Sequence, residues 1–242
     1  VGFSFSFGEF SLDDIGDLLS AAKSIEICLA NLPGFRPAKQ VRAQQKADRI
    51  VSAAAYLLQN RSFSDITVQD IAQRAECAVT AIYARFDDKD ALLPAVHLII
   101  LERNRQMERE NFAHQNYRAK DLDFFSKDFT RSLLQFFSKN KFFFQAALRS
   151  GSDYIFQQAS SYNVEQAIFY GALVNPLIGR DPGETPASLE FAIRTLNGIL
   201  RDSIISGDHS GLTEGATLAA LFSSMIRSGL VGAPLHEPAP QT

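Results

Sequence analysis

Along most of the chain, apolar residues recur at intervals of three and four, the spacing of one helical face, while strict alternation is confined to Phe3, Phe5 and Phe7. The pattern predicts an all-α protein with no internal repeat. Residues 11–31 read as an amphipathic helix: Ser11 and Asp14 give a capping signal, Leu12, Ile15, Leu18, Leu19, Ala22, Ile25 and Leu29 line one face, and Asn31-Leu32-Pro33-Gly34 ends it. A second helix is predicted from about 43 to 59, with Ile50, Ala54, Leu57 and Leu58 facing inward. Phe63 falls in a loop, and Thr67-Val68-Gln69-Asp70 is a capping box that opens a short helix to about Arg74. Residues 75–78 turn, 79–85 make another short helix, and Asp88 caps a longer one carrying Leu92, Leu93, Val96, Ile99 and Ile100.

Beyond position 118 the pattern predicts longer helices at 120–139, 141–150, 152–178, 186–206 and 213–231. Residues 179–185, with Pro182 and Gly183, break the run, and Thr185-Pro186 supplies a cap and a first-turn proline for the next helix. The last two helices carry apolar faces, Leu189, Ile193, Leu196, Leu200 and Ile204 on one, Leu218, Leu221, Phe222, Met225 and Ile226 on the other. Beside the second runs a stripe of small residues, Ala216, Ala219, Ala220 and Ser223, which permits close helix approach. Two copies of this pair can form a two-fold four-helix interface; the same faces can instead fill an intramolecular core. The tail GAPLHEPAPQT reads as disordered.

Composition narrows the class. The 242 residues are 46% hydrophobic, ample for packed cores, yet no run of about 18 apolar residues is free of charged or polar side chains. With no basic-then-apolar start, the expectation is a cytoplasmic protein without a membrane span. Cys28 and Cys77 form no CxxC pair, and His97, His114, His209 and His236 have no ligand spacing, so neither a metal nor a cofactor is called for. The net charge of −3 is unevenly placed: residues 1–38 carry two basic against five acidic side chains, and residues 39–90 eight against seven. A local basic edge fits this balance; a strong basic patch does not.

Two short helices joined by a four-residue turn and preceded by a supporting helix have the proportions of a helix-turn-helix. The stretch VQDIAQRAECAVTAIYARFDDKDALL, residues 68–93, resembles the DNA-binding signature of the TetR (tetracycline-repressor) family: a Thr-Val start, Ile71-Ala72, Ala75, Ile82-Tyr83, Phe86, Lys89 and Ala91-Leu92. The similarity covers about residues 43–93. It implies a transcription regulator, usually a repressor, that dimerises through its C-terminal helices and leaves a palindromic operator when a small molecule binds. The chain then divides into an N-terminal extension (1–38), a three-helix DNA-binding domain (39–93), a helical ligand-binding and dimerisation domain (94–231) and a tail (232–242).

The residues are compatible with that reading. Ile50, Phe63, Ile71, Ala72, Ile82 and Phe86 can make one small core that turns the helix at 79–85 outward toward a major groove. So bare a helix approaches closely, reading thymine methyls through Val79, Thr80 and Ala81, with Thr80 able to hydrogen-bond a base edge. By resemblance, phosphate contacts fall to Thr67, Gln69, Tyr83 and Lys89, supplemented by Lys39, Arg42 and Lys46. Two positions depart from the family pattern. Glu76 stands where glycine is common in the turn, and a left-handed residue there costs roughly 1 kcal/mol. Ala78 replaces a serine cap, forfeiting about 1 kcal/mol at the helix start.

An effector site is expected among the phenylalanine-rich helices, where Phe125, Phe129 and Phe144 supply apolar walls. Tyr162, Gln166 and Tyr170 recur four apart with Phe169 and Leu173 alongside, which suits a mainly apolar small molecule held by a few hydrogen bonds. Two other classes stand beside the regulator: a helical small-molecule binder that has lost DNA affinity, and an enzyme. Against the last, the chain has no nucleophile elbow, Walker loop, dinucleotide fingerprint or metal-ligand spacing.

Overall fold

A computed structural model describes residues 32–37, 41–113, 120–181, 187–207 and 214–229. The helix expected over 11–31, Lys39, the Thr185-Pro186 cap and the tail from 232 lie outside these residues. Among the described residues the chain is all-α: α1 Val41–Leu57, α2 Val68–Arg74, α3 Val79–Tyr83, α4 Leu92–Ala113, α5 Leu122–Lys139, α6 Lys141–Ser150, α7 Asp153–Leu177, α8 Ala187–Ser206 and α9 Gly215–Ser228. Phe63, expected in a loop, opens a 3-10 turn to Asp65. Boundaries fall within a few residues of those the apolar spacing predicts. No helix among the described residues is long and apolar enough to cross a membrane.

The described residues fall into two compact units, one from those up to 113 together with 135–158, the other from 120–134 together with those from 159 onward. In the first, α1 packs on α2 and α4, α2 on α3, and α6 on α4 and on the 3-10 turn. Ile50, Ile71, Ala72, Ile82 and Phe86 are buried as the sequence implies, and Phe63 packs against them half-buried. Val51, Ala53, Ala54 and Ala55 are buried together, so the second half of α1 is covered nearly all round and the alanines allow close approach.

This core does not stop at position 93. Leu92, Leu93, Val96, Ile99 and Ile100 of α4 join it, as do Phe143, Ala146 and Ala147 of α6, and so does Leu32 from the segment assigned to the N-terminal extension. Apolar faces on α4 and α6 would otherwise be left in water, which outweighs any boundary drawn from sequence similarity. Within the same unit Phe144 is ringed by Phe136, Phe137 and Phe143, with centroids 4.5–5.6 Å away.

The second unit is centred on aromatic rings. Phe125 and Phe129 of α5 meet Tyr170 of α7 edge-on at 5.6 and 5.2 Å, and Phe129 stacks on Phe222 of α9 at 4.7 Å. Leu189, Ile193, Leu196 and Leu200 of α8 and Leu218, Phe222, Met225 and Ile226 of α9 are all buried within the single chain. Those faces therefore serve as intramolecular core, the second of the two roles the sequence leaves open. α9 leaves exposed Ala216, Ala220, Leu221 and Ser224, together with Gly215, Thr217, Arg227 and Ser228.

Candidate nucleic-acid interface

α2 begins where the sequence places it. The Thr67 hydroxyl accepts from the Asp70 amide at 3.1 Å, and the Asp70 carboxylate accepts from the Thr67 amide at 2.8 Å, a reciprocal capping box. The bond from the Thr67 backbone is the main reason the Asp70 carboxyl lies below its ordinary range, with the Thr67 side chain and the Arg61 guanidinium adding to it. The Thr67 oxygen accepts from the Asp70 amide and its hydroxyl also bonds the Asp70 carboxylate, at an exposed helix start. Gln69, on the same turn, is also exposed.

The turn to α3 is a Schellman motif: the Glu76 amide donates to the Gln73 carbonyl at 3.2 Å and the Cys77 amide to the Ala72 carbonyl at 3.0 Å. Glu76 takes the left-handed conformation (φ 51°), as its place in the motif demands. Ala78 is the N-cap of α3 and makes no side-chain capping bond. Ile82 anchors α3 in the core, while Thr80, Tyr83 and Ala84 are exposed. Ala81 is half-buried, and Val79 is half-buried against the core. The face turned to solvent is thus Thr80, Tyr83 and Ala84, with Ala81 at its edge. Ala84 follows from the four-residue helical repeat after Thr80, a signal that the sequence assignment did not use.

Arg42, Lys46 and Arg49 are exposed on α1 at one-turn spacings. Lys46 and Arg49 reach the turn before α3 electrostatically: their positive charges oppose the burial that pushes the Cys77 thiol up. Arg49 was not among the expected contacts, although its spacing from Lys46 and Arg42 would have found it. Tyr83 is 47% exposed, the most exposed aromatic side chain of the described residues.

Lys89 is placed differently from a free surface cation. Its ammonium donates to the Phe63 carbonyl at 2.7 Å and the Ile66 carbonyl at 3.0 Å, and it sits 4.2 Å from the Phe63 ring centroid. Two of its three N–H groups are therefore directed into the domain.

The expected effector residues are not all brought together. Phe125, Phe129 and Tyr170 share the aromatic cluster of the second unit, and Phe169 lies against Tyr170 at 5.3 Å. Tyr162 and Gln166 are buried on α7, and Leu173 is half-buried. Phe144 belongs to the other unit. Among the described residues no group of acidic, histidine and cysteine side chains could hold a metal ion.

Residues 50–96 match the family model of the bacterial regulatory proteins of the tetR family. No curated protein gave a significant match to the chain. The matched segment runs from the buried Ile50 of α1 to Val96 of α4 and contains the capping box, the Schellman turn and the outward-facing α3. Residues 50–96 thus form a DNA-binding domain of the tetR-family type, which supports a DNA-binding transcriptional regulator.

Proposed function

We propose that the protein is a repressor that binds a palindromic operator as a homodimer and is released by a mainly apolar small molecule. The observation that carries the DNA-reading half is the geometry of α3: Ile82 is buried while Thr80, Tyr83 and Ala84 are exposed, in the same compact unit as the exposed start of α2 and the basic row on α1. Thr80, Ala81 and Ala84 read base edges and thymine methyls; Val79, packed on the core, chiefly sets the depth of the helix. Thr67, Gln69, Tyr83, Lys39, Arg42, Lys46 and Arg49 hold phosphates; Lys89 has one N–H left for the same task.

The effector reading rests on the second unit. Its rings touch one another, so a ligand among Phe125, Phe129, Tyr162, Gln166, Phe169, Tyr170 and Leu173 gains access by displacing aromatic contacts. Such a ligand prefers the conformation with the cluster opened, which is the differential affinity release requires. The small and apolar residues exposed on α9, Ala216, Ala220, Leu221 and Ser224, support a dimer contact there.

Selection of bound sequences from a random duplex pool, followed by a screen for ligands that release them, tests this reading. A palindromic motif is expected, and Thr80→Ala is expected to alter it, whereas Tyr83→Ala weakens binding to all sequences alike. A motif with no two-fold symmetry would remove the dimer, and an identical motif from Thr80→Ala would remove the base-reading role.

A further inference from the structure

α3 has only five residues, below the length at which a helix holds its own shape. Its N-cap contributes no side-chain bond and the residue two before that cap is a strained, left-handed Glu76. The direction in which Thr80 and Tyr83 point is therefore set by Ile82 in the core together with whatever grips the end of the helix. That grip comes from residues 32–37, which lie outside the segment matched to the family.

Five contacts tie this strap to the end of α3 and the residues just after it. The Arg36 amide donates to the Arg85 carbonyl at 2.7 Å and the Asp87 amide donates to the Gly34 carbonyl at 3.0 Å, forming an antiparallel bridge between Phe35 and Phe86. The Phe35 ring lies 5.2 Å from the ring of Phe86, which is wholly buried. The Arg36 guanidinium donates to the Tyr83 carbonyl at 2.9 Å and pairs with the Asp87 carboxylate. Leu32, 4% exposed, anchors the start of the strap in the core. Gly34 lets it fit: its φ is +71°, and a Cβ there would stand 2.8 Å from the Ala91 Cβ. A cation on the last carbonyls of a helix also satisfies acceptors that have no partner within it.

We propose that residues 32–37 are a clamp that fixes the reading helix for base recognition, with Arg36 a positioning residue acting through the Tyr83 carbonyl and Asp87 rather than on DNA itself. The inference rests on α3 being the DNA-reading helix.

The test uses the full chain and two variants, Gly34→Ala, which drives the strap from Ala91, and Arg36→Ala, which removes a more than half-exposed side chain and spares the core. Amide hydrogen exchange reports the clamp directly, because the Arg36 and Asp87 amides bond only across it. Both variants are expected to lose protection there. Binding is measured to a duplex selected by the wild-type protein and to one of unrelated sequence, over a range of salt. The ratio of the two affinities is expected to fall about tenfold, the scale of one weakened base contact, while the salt slope stays unchanged. Arg36→Lys, which can still reach the carbonyl or the carboxylate, restores part of the ratio. A salt slope lower by about one unit in Arg36→Ala identifies a direct phosphate contact and overturns the positioning role. Protection retained in both variants, or lost with the ratio intact, overturns the clamp. A wild-type protein that binds no duplex overturns the DNA reading itself, an outcome distinct from either.

Discussion

The Lys89 side chain joins the loop before α2 to the turn after α3, because its ammonium bonds two carbonyls there and its charge lies over the Phe63 ring. Charge-assisted bonds of this kind contribute about 1.5–3 kcal/mol each when their loss strands buried acceptors. Lys89→Ala is therefore expected to lower unfolding free energy by roughly 2 kcal/mol, seen as a lower urea midpoint with unchanged slope. A midpoint like that of wild type would return Lys89 to the role of a surface phosphate contact. His97 offers a second residue-scale prediction. It is 2% exposed on α4, stacked 5.5 Å from Phe143. Burial is the main cause of its lowered pKa, from 6.5 to about 4, with the Arg105 charge adding to it. The unfolded chain therefore takes up this proton first as pH falls. Stability from this group is complete above about 6.5 and declines as pH drops toward 4, by up to roughly 3 kcal/mol. Comparing His97→Leu with wild type between pH 7 and 4.5 isolates it: the variant should lack this part of the acid-side decline.

At the scale of the element, the weak points of α3 were legible in the sequence and are present in the fold. Glu76 is left-handed and Ala78 caps nothing. Glu76→Gly and Ala78→Ser are each expected to raise stability by about 1 kcal/mol, measured by thermal or urea unfolding. If Glu76→Gly is neutral, the added flexibility of glycine in the unfolded chain offsets the strain relieved. The capping box at Thr67 and the paired short helices were readable because they are local: their bonds join residues three or four apart. The role of Lys89 was not, since its partners lie 26 and 23 positions away and carry no side-chain signature. Arg36 was missed for the same reason, as its carbonyl and carboxylate partners lie 47 and 51 positions downstream. The phenylalanines differ in another way: spacing puts Phe125, Phe129 and Phe144 on helical faces, but only tertiary packing decides that Phe144 belongs to the first unit and the other two to the second.

At the scale of the whole molecule, effector and operator are coupled only if each prefers a different arrangement of the same chain. Linkage then requires that operator DNA weaken effector binding by the factor by which effector weakens operator binding, about five- to 150-fold. Titrating an apolar ligand that the protein binds, with and without the duplex, checks it; equal affinities would leave a constitutive DNA binder. The single core of the first unit has a consequence for modularity. It draws side chains from Leu32 through Ile155, with Phe143, Ala146 and Ala147 packed into the same cluster as Ile71 and Ile82. A DNA-reading segment transplanted onto another regulator as residues 39–93 would leave behind the strap and α6, exposing the faces they cover. On the proposed reading, exchange of specificity is therefore a matter of replacing Thr80, Ala81 and Ala84 within the existing chain, because the segment that holds α3 is not a detachable part.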